Sequence, residues 1–285
     1  MRRRQQSGKP TPTEEQSDRE LLDKLLDASR SFASTVTAAL GKLSPTTERE
    51  KGAYQLLVVS LNHYRCINSL FEDDRFITSA LALRRIIMDT SFRSVWISRF
   101  ASETKVSKAL NSDKAMPPPK KVAKLLQEHW KEPNPVELEA IQAMWGRLSG
   151  YVHTGSTVLE NLSKYHQHGP HREKVQIHIV RLSSLFLTNG AYLTASKFQG
   201  EPDIARSIEE AFISLDTLAG ELLSTVQQDI DQNTSPTIQE PLAGNETPTP
   251  SPAAARKEIV AAMRTWWAAA AKEDATALNH ATEET

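Results

Sequence analysis

The stretch RLSGYVHTG, Arg147 to Gly155, holds the residues of this chain best suited to chemistry. Histidine titrates near neutral pH, so His153 is fitted to take up a proton and return it. Arginine stays charged and offers planar donors that match charge building on a phosphoryl group. Together Arg147 and His153 would suffice for metal-independent RNA cleavage, in which the RNA's own 2′-hydroxyl attacks the adjacent phosphate. Their spacing does not suit a straight helix: six residues turn through about 600° and leave the two side chains about 120° apart. Gly150, between them, permits a bend or a helix end that would bring them together. A symmetric dimer, each chain contributing to one cleft, would also complete the pair. The competing reading is structural, a helix C-terminus whose dipole favours His153 at its end.

A second polar set lies in SALALRRIIMDTSFRSVWISRF. On a helix, Arg85, Asp89, Arg93 and Trp96 line up at spacings of four and three. Phe76, Ala80, Leu83 and Ile87 take roughly the opposite side, with Met88, Phe92 and Val95 between. A helix apolar over most of its circumference belongs at the centre of a bundle. Two readings compete for the stripe. In one, Asp89 neutralises both arginines, whose planar heads cover apolar neighbours. In the other, two arginines held by one aspartate form an anion or phosphate site beside Trp96. Burying two positive charges against one negative calls for a further anion or acid. Glu72, Asp73 and Asp74 are candidates for that acid.

The other histidines point to no metal. His166, His168, His171 and His178 cluster in YHQHGPHREKVQIH, but Gly169 and Pro170 mark a loop, and no carboxylate or cysteine stands at a ligand spacing. A solvated loop is expected there, with His178 on the following helix, and neither metal nor cofactor is implied. His63 and His129 are isolated on helices and read as satisfied, partly buried histidines. Cys66 is the one cysteine, so no internal disulfide forms, which suits a reducing compartment. In the apolar-periodic run SLNHYRCINSLF it reads as a small buried residue, with a nucleophile beside His63 as the alternative.

These residues need helices to position them, and the chain supplies helical patterns throughout. Leu21, Leu22, Leu25, Leu26, Phe32, Val36 and Leu40 recur at helical spacing behind Thr13, Glu14 and Glu15 and stop at Gly41 and Pro45. A second helix starts near Thr47 and a third near Arg75, continuing through FASE. KKVAKLLQEHW is a short helix after the MPPPK turn, with Pro119 a candidate first residue. VELEAIQAMWGRLSGYVHTG begins a fifth. KVQIHIVRLSSLFLTNGAYLTASKF and PDIARSIEEAFISLDTLAGELLSTVQQDI follow. No run alternates with period two, and no Asn-Gly or Asp-Gly hairpin signal occurs. The expected fold is all-α, a mainly antiparallel helical bundle over 14–230.

Residues 1–13 form a basic, Pro- and Thr-rich arm with nothing apolar to bury. Residues 231–252 are a Pro/Thr/Asn-rich linker. Residues 253–285 form an Ala-rich tail helix, with Ile259, Met263, Trp266, Trp267 and Ala270 along one side. Trp266 and Trp267 would dock on the chain's own bundle, on a second subunit or on a protein partner. Lys and Arg total 34 against 35 Asp and Glu, a formal net charge of −1 in 285 residues. That balance argues against a general nucleic-acid-coating protein while allowing a local basic patch. No window is apolar enough to span a membrane, and the basic N-terminus lacks the apolar segment of a secretory signal, so a cytoplasmic protein is expected.

The Ala/Leu-Arg helix with Asp89 one turn on and Arg93 and Trp96 beyond, followed by Leu148, Val152, His153 and Gly155, resembles a group of uncharacterised bacterial all-helical families. The likeness covers about 60–200. Those families are in turn similar to the HEPN superfamily of helical bundles, marked by an Arg and, four to six residues on, a His at a dimer interface. The resemblance implies a homodimeric ribonuclease of toxin–antitoxin or phage-defence type, with Arg147 and His153 as the catalytic pair; other members are binding modules. Active members usually place a polar residue directly after the arginine, where this chain has Leu148. By this reading Arg2, Arg3, Arg4 and Lys9 of the arm add nonspecific RNA affinity. The alternatives are a non-catalytic helical interaction protein using the Trp266–Trp267 helix, and an anion sensor built on Arg85, Asp89 and Arg93.

Overall fold

A computed structural model describes residues 12–72, 76–112, 115–129, 145, 148–149, 170–198 and 202–233. The described residues form seven helices and no strand: α1 (Pro12–Leu40), α2 (Glu48–Glu72), α3 (Ile77–Arg99), α4 (Glu103–Asn111), α5 (Pro119–His129), α6 (Pro170–Ala195) and α7 (Pro202–Asn233). The all-α bundle expected from the sequence is the fold. The basic arm through residue 11, most of the linker and the Trp266–Trp267 helix lie outside the described residues. Helix α7 extends to Asn233, three residues past the point where composition places the linker.

Two elements differ from the sequence reading. The third helix does not continue into FASE: it ends at Arg99, and α4 starts afresh at Glu103 after Ser102, whose extended backbone breaks the run. No Gly or Pro marks that break. Helix α6 starts at Pro170, so His171 is helical rather than part of a loop. Proline suits a first helical turn, where its missing N–H has no partner to lose.

The start of α2 is a capping box. Thr47 Oγ1 accepts the Glu50 N–H at 3.2 Å, and Glu50 Oε2 accepts the Thr47 N–H at 3.0 Å and the Thr46 N–H at 2.7 Å. Donors that a helix N-terminus leaves unpaired are thus satisfied reciprocally.

Helices α1, α2 and α3 pack in antiparallel succession. Ser29 meets Tyr64 and Asn68, while Thr37 meets Arg65; Ser60 meets Thr90, while Arg49 reaches the Ile97 carbonyl. Helix α6 is the central element, packing against α1, α2, α3 and α7. Every residue from Ser183 to Ala195 is buried. It lies parallel to α3: Ser91 faces Gly190, Thr194 donates to Ser94, and Arg99 binds the Leu193 carbonyl and Ser196 further along.

That crossing leaves no room for a side chain at Gly190. A Cβ at Gly190 would stand 2.8 Å from Ser91 Cβ and 2.9 Å from Ser91 Cα. Glycine serves here by absence of a side chain. The seam is polar but small-residued: Ser60 Oγ lies 2.5 Å from Thr90 Oγ1 and 3.3 Å from Ser91 Oγ. Burial without partners is expensive for hydroxyls, and these satisfy one another.

On its other side α6 is joined to α7 by an ion pair. Arg181 holds Asp216 through two parallel bonds, Nε to Oδ1 and Nη2 to Oδ2. The side chains are 9% and 13% exposed, so the pair is nearly out of water. Gly220 faces the guanidinium, and a Cβ there would be in ordinary contact with it, 3.5 Å from Nη2.

Candidate anion site on helix α3

Helix α3 buries Ile87, Met88, Phe92, Val95 and Ile97 on the core side. Its polar stripe is half-buried, as its central position implies. Asp89 pairs with Arg93, one turn on, at 3.6 Å. It does not hold Arg85 in the same way. The Arg85 guanidinium instead lies over the indole of Trp145, its carbon 4.5 Å from the ring centroid. Trp145 in turn donates its Nε1–H to Asp89 Oδ1 at 3.2 Å. The expectation that Asp89 neutralises both arginines holds only for Arg93; a cation over an aromatic face accounts for Arg85.

Trp96 does not belong to this site. It is 6% exposed and part of the core, so the aromatic ring beside the arginines is Trp145. Phe76 does not share the buried side either: it precedes the helix and is 41% exposed. Of the three acids considered as a further counter-charge, Glu72 is engaged with Arg30 at 2.6 Å. Asp73 and Asp74 lie outside the described residues.

The site has donors left over. Arg85 Nη1 and Arg93 Nε are buried and make no hydrogen bond. A buried guanidinium N–H without an acceptor is costly, more so than a neutral donor. Two positive charges and one carboxylate leave the set at net positive charge. The arrangement is suited to taking an oxyanion, which would supply the missing acceptors and the missing negative charge.

Trp145 connects the stripe to the RLSGYVHTG segment. Ser149 Oγ donates to the Trp145 carbonyl at 2.8 Å, as residues one helical turn apart do. Leu148, between them, is completely buried in the core. Arg147 and His153 themselves lie outside the described residues. So do His166 and His168, whereas His178 stands on α6, half-buried, as expected. Among the described residues no group of histidine, cysteine and carboxylate side chains could hold a metal ion.

Three further residues correct or refine the sequence reading. Cys66 is exposed, not buried. The buried face of α2 runs through Leu57, Leu61, Tyr64, Ile67, Asn68 and Phe71, and Cys66 falls opposite it. His63 is half-buried, and burial lowers its pKa. His129 is exposed and meets the Phe100 ring edge-on at 5.5 Å.

A family model matches residues 57–214, more than half of the chain. The chain belongs to the family of unknown function DUF6988. No curated protein and no solved structure matches it. The DUF6988 match includes Arg85, Asp89, Arg93, Trp145, Arg147 and His153, and excludes α1, the start of α2 before Leu57 and α7 beyond Ser214. No described helix is long and apolar enough to cross a membrane.

Sequence reasoning missed Trp145, although a signal was present. An indole N–H on an apolar helix needs an acceptor when it is covered. Asp89 is the acceptor it finds, although the stripe's spacing assigns that carboxylate to Arg85 and Arg93.

Proposed function

We propose that the protein is a HEPN-like, metal-independent endoribonuclease of toxin or phage-defence type, acting as a cytoplasmic homodimer. One observation supports this reading over a purely structural stripe. Arg85 and Arg93 have unpaired, buried N–H groups, and the Arg85 guanidinium lies over Trp145, two residues before Arg147. An RNA phosphate held at the stripe would lie near the segment that carries the Arg–His pair. His153 takes the proton of the 2′-hydroxyl as that oxygen attacks phosphorus. Arg147 stabilises the charge on the phosphoryl oxygens. The bond to the 5′-oxygen breaks, and the proton is returned to it. The products are a 2′,3′-cyclic phosphate and a 5′-hydroxyl end.

The test is cleavage of single-stranded and structured RNA by the purified full chain in the presence of a chelator. Cutting that persists without metal and disappears in both His153→Ala and Arg147→Ala is expected. RNA left intact by the wild-type chain overturns catalysis. Relief of expression toxicity by His153→Ala is the matching observation in cells.

A second reading is a non-catalytic RNA- or anion-binding protein. Leu148 favours it: the residue after Arg147 is sunk in the core and offers no polar group to a reacting centre. RNA retained but uncut would select this reading. Loss of a protein partner or of self-association on deleting 253–285 would assign the Trp266–Trp267 helix its own part in either case.

A further inference from the structure

We infer that Asp89 sets the charge of the ligand accepted at the α3 site, selecting an internal phosphodiester over a terminal phosphate. The inference rests on the reading that this stripe receives RNA phosphate. It adds which phosphate, and which residue decides.

Asp89 is held in place on two sides. Its Oδ1 accepts from Trp145 at 3.2 Å, and its Oδ2 faces Arg93 Nη2 at 3.6 Å. The carboxylate is 20% exposed and the Arg93 side chain 24%, so water screens the group only in part. Two guanidiniums and one carboxylate sum to a single positive charge. An internal phosphodiester carries a single negative charge and neutralises the set. A terminal phosphate or a free phosphate carries about −1.5 to −2 near neutral pH. It would leave an excess negative charge beside a fixed carboxylate, and like charges in a partly desolvated site repel strongly.

The donors at the stripe belong to the arginines. Arg85 Nη1 and Arg93 Nε, eight residues apart on α3, have no protein acceptor, whereas Trp145 already gives its N–H to Asp89. Asp89 is therefore the group that opposes an incoming negative charge, and the arginines are the groups that attract it.

Asp89→Asn isolates the charge. The amide oxygen still accepts from the Trp145 N–H, and the side chain keeps its shape, while the set rises to two positive charges. In a His153→Ala background, which keeps RNA intact, three probes are compared: a 5′-hydroxyl oligoribonucleotide, the same oligonucleotide with a 5′-phosphate, and inorganic phosphate as competitor. With Asp89 present, equal affinity for both oligonucleotides and negligible competition by phosphate are expected. Asp89→Asn should favour the 5′-phosphorylated oligonucleotide roughly tenfold, the scale of one charge-assisted contact. A preference for the 5′-phosphate that is already present with Asp89, or is unchanged in Asp89→Asn, overturns the inference. RNA bound equally well by an Arg85→Gln/Arg93→Gln variant also overturns it, while leaving cleavage by Arg147 and His153 standing. Absence of RNA binding by every form of the chain sinks both.

Discussion

Trp145 gives its indole hydrogen to Asp89 across 3.2 Å while the Arg85 guanidinium lies on its ring, so one side chain ties together Arg85 and Asp89, one turn apart on the α3 stripe. Removing the ring should therefore be felt twice. Trp145→Phe keeps an aromatic face for Arg85 but strips the donor from Asp89, at an expected cost of about 1 kcal/mol. Trp145→Ala removes both and should cost about 3–5 kcal/mol if the site does not collapse. Urea titrations followed by far-UV circular dichroism rank the two variants. Equal losses would mean that the hydrogen bond, rather than the ring, carries the contact.

Gly190 sits where α6 crosses α3, and the atoms it would meet include backbone. Gly190→Ala brings its Cβ within 2.9 Å of Ser91 Cα, so relief requires the helices to part. A loss of about 1–3 kcal/mol is expected. Ser91→Ala should not rescue it, because the nearest atom is the Ser91 Cβ that alanine retains. Thermal melts of both single variants and the double variant decide the matter; full rescue would show that only the hydroxyl was in the way.

The Arg181–Asp216 pair predicts an asymmetry between breaking and replacing it. Asp216→Asn leaves a nearly buried guanidinium without its counter-charge, and about 3–5 kcal/mol should be lost. Arg181→Met combined with Asp216→Leu should recover most of that loss, since no charge then needs solvation. A double-mutant cycle in denaturant measures the coupling. A double variant as unstable as Asp216→Asn would show that the pair is worth more than its apolar substitute.

Acid should weaken the fold at two places in sequence. His63 is held below its usual pKa by burial, so the unfolded chain binds its proton first. Stability from this group is full above the unfolded pKa, about 6.5, and falls as pH drops through it toward the lower folded value. Glu50 is held low chiefly by the Thr47 backbone N–H, then by Thr46. Its contribution is present above the unfolded pKa, about 4.3, and is lost as pH falls through the depressed folded one. Glu50→Gln should flatten the lower step and leave the upper one. His63→Gln should do the reverse. Stability measured from pH 8 to pH 3 shows whether the steps separate.

Much of the bundle was legible because apolar spacing and capping residues agree along α1, α2, α6 and α7. Helix α4 was not, because Ala101 and Ser102 break the chain without Gly or Pro, and its nine residues continue the helical composition before them. Cys66 was misjudged by residue type, although spacing against Tyr64 and Ile67 puts it on the outer side of α2. The arginine stripe was legible as a stripe. Its true aromatic partner was not, since Trp145 and Asp89 are 56 residues apart and only packing brings them together. Residue type alone does not reveal the setting of the small polar residues of α6: Ser183, Ser184, Thr188 and Thr194 are all interior. A helix surrounded by four others has no outer face for them to occupy.

The central position of α6 also sets the order in which this chain can finish folding. Helices α1, α2 and α3 are synthesised first, but the helix that fills the space between them begins at Pro170. The pairs Ser94–Thr194 and Arg99–Leu193 close loops of about a hundred residues, contacts whose entropic cost falls early and whose reward comes late. A ribosome that has made the first half has therefore released three helices with an open seam of serines, threonines and apolar residues. The nascent chain depends on the helix from Pro170 to Ala195 to cover them, and truncation anywhere before Ala195 should give an aggregating product rather than a smaller folded one.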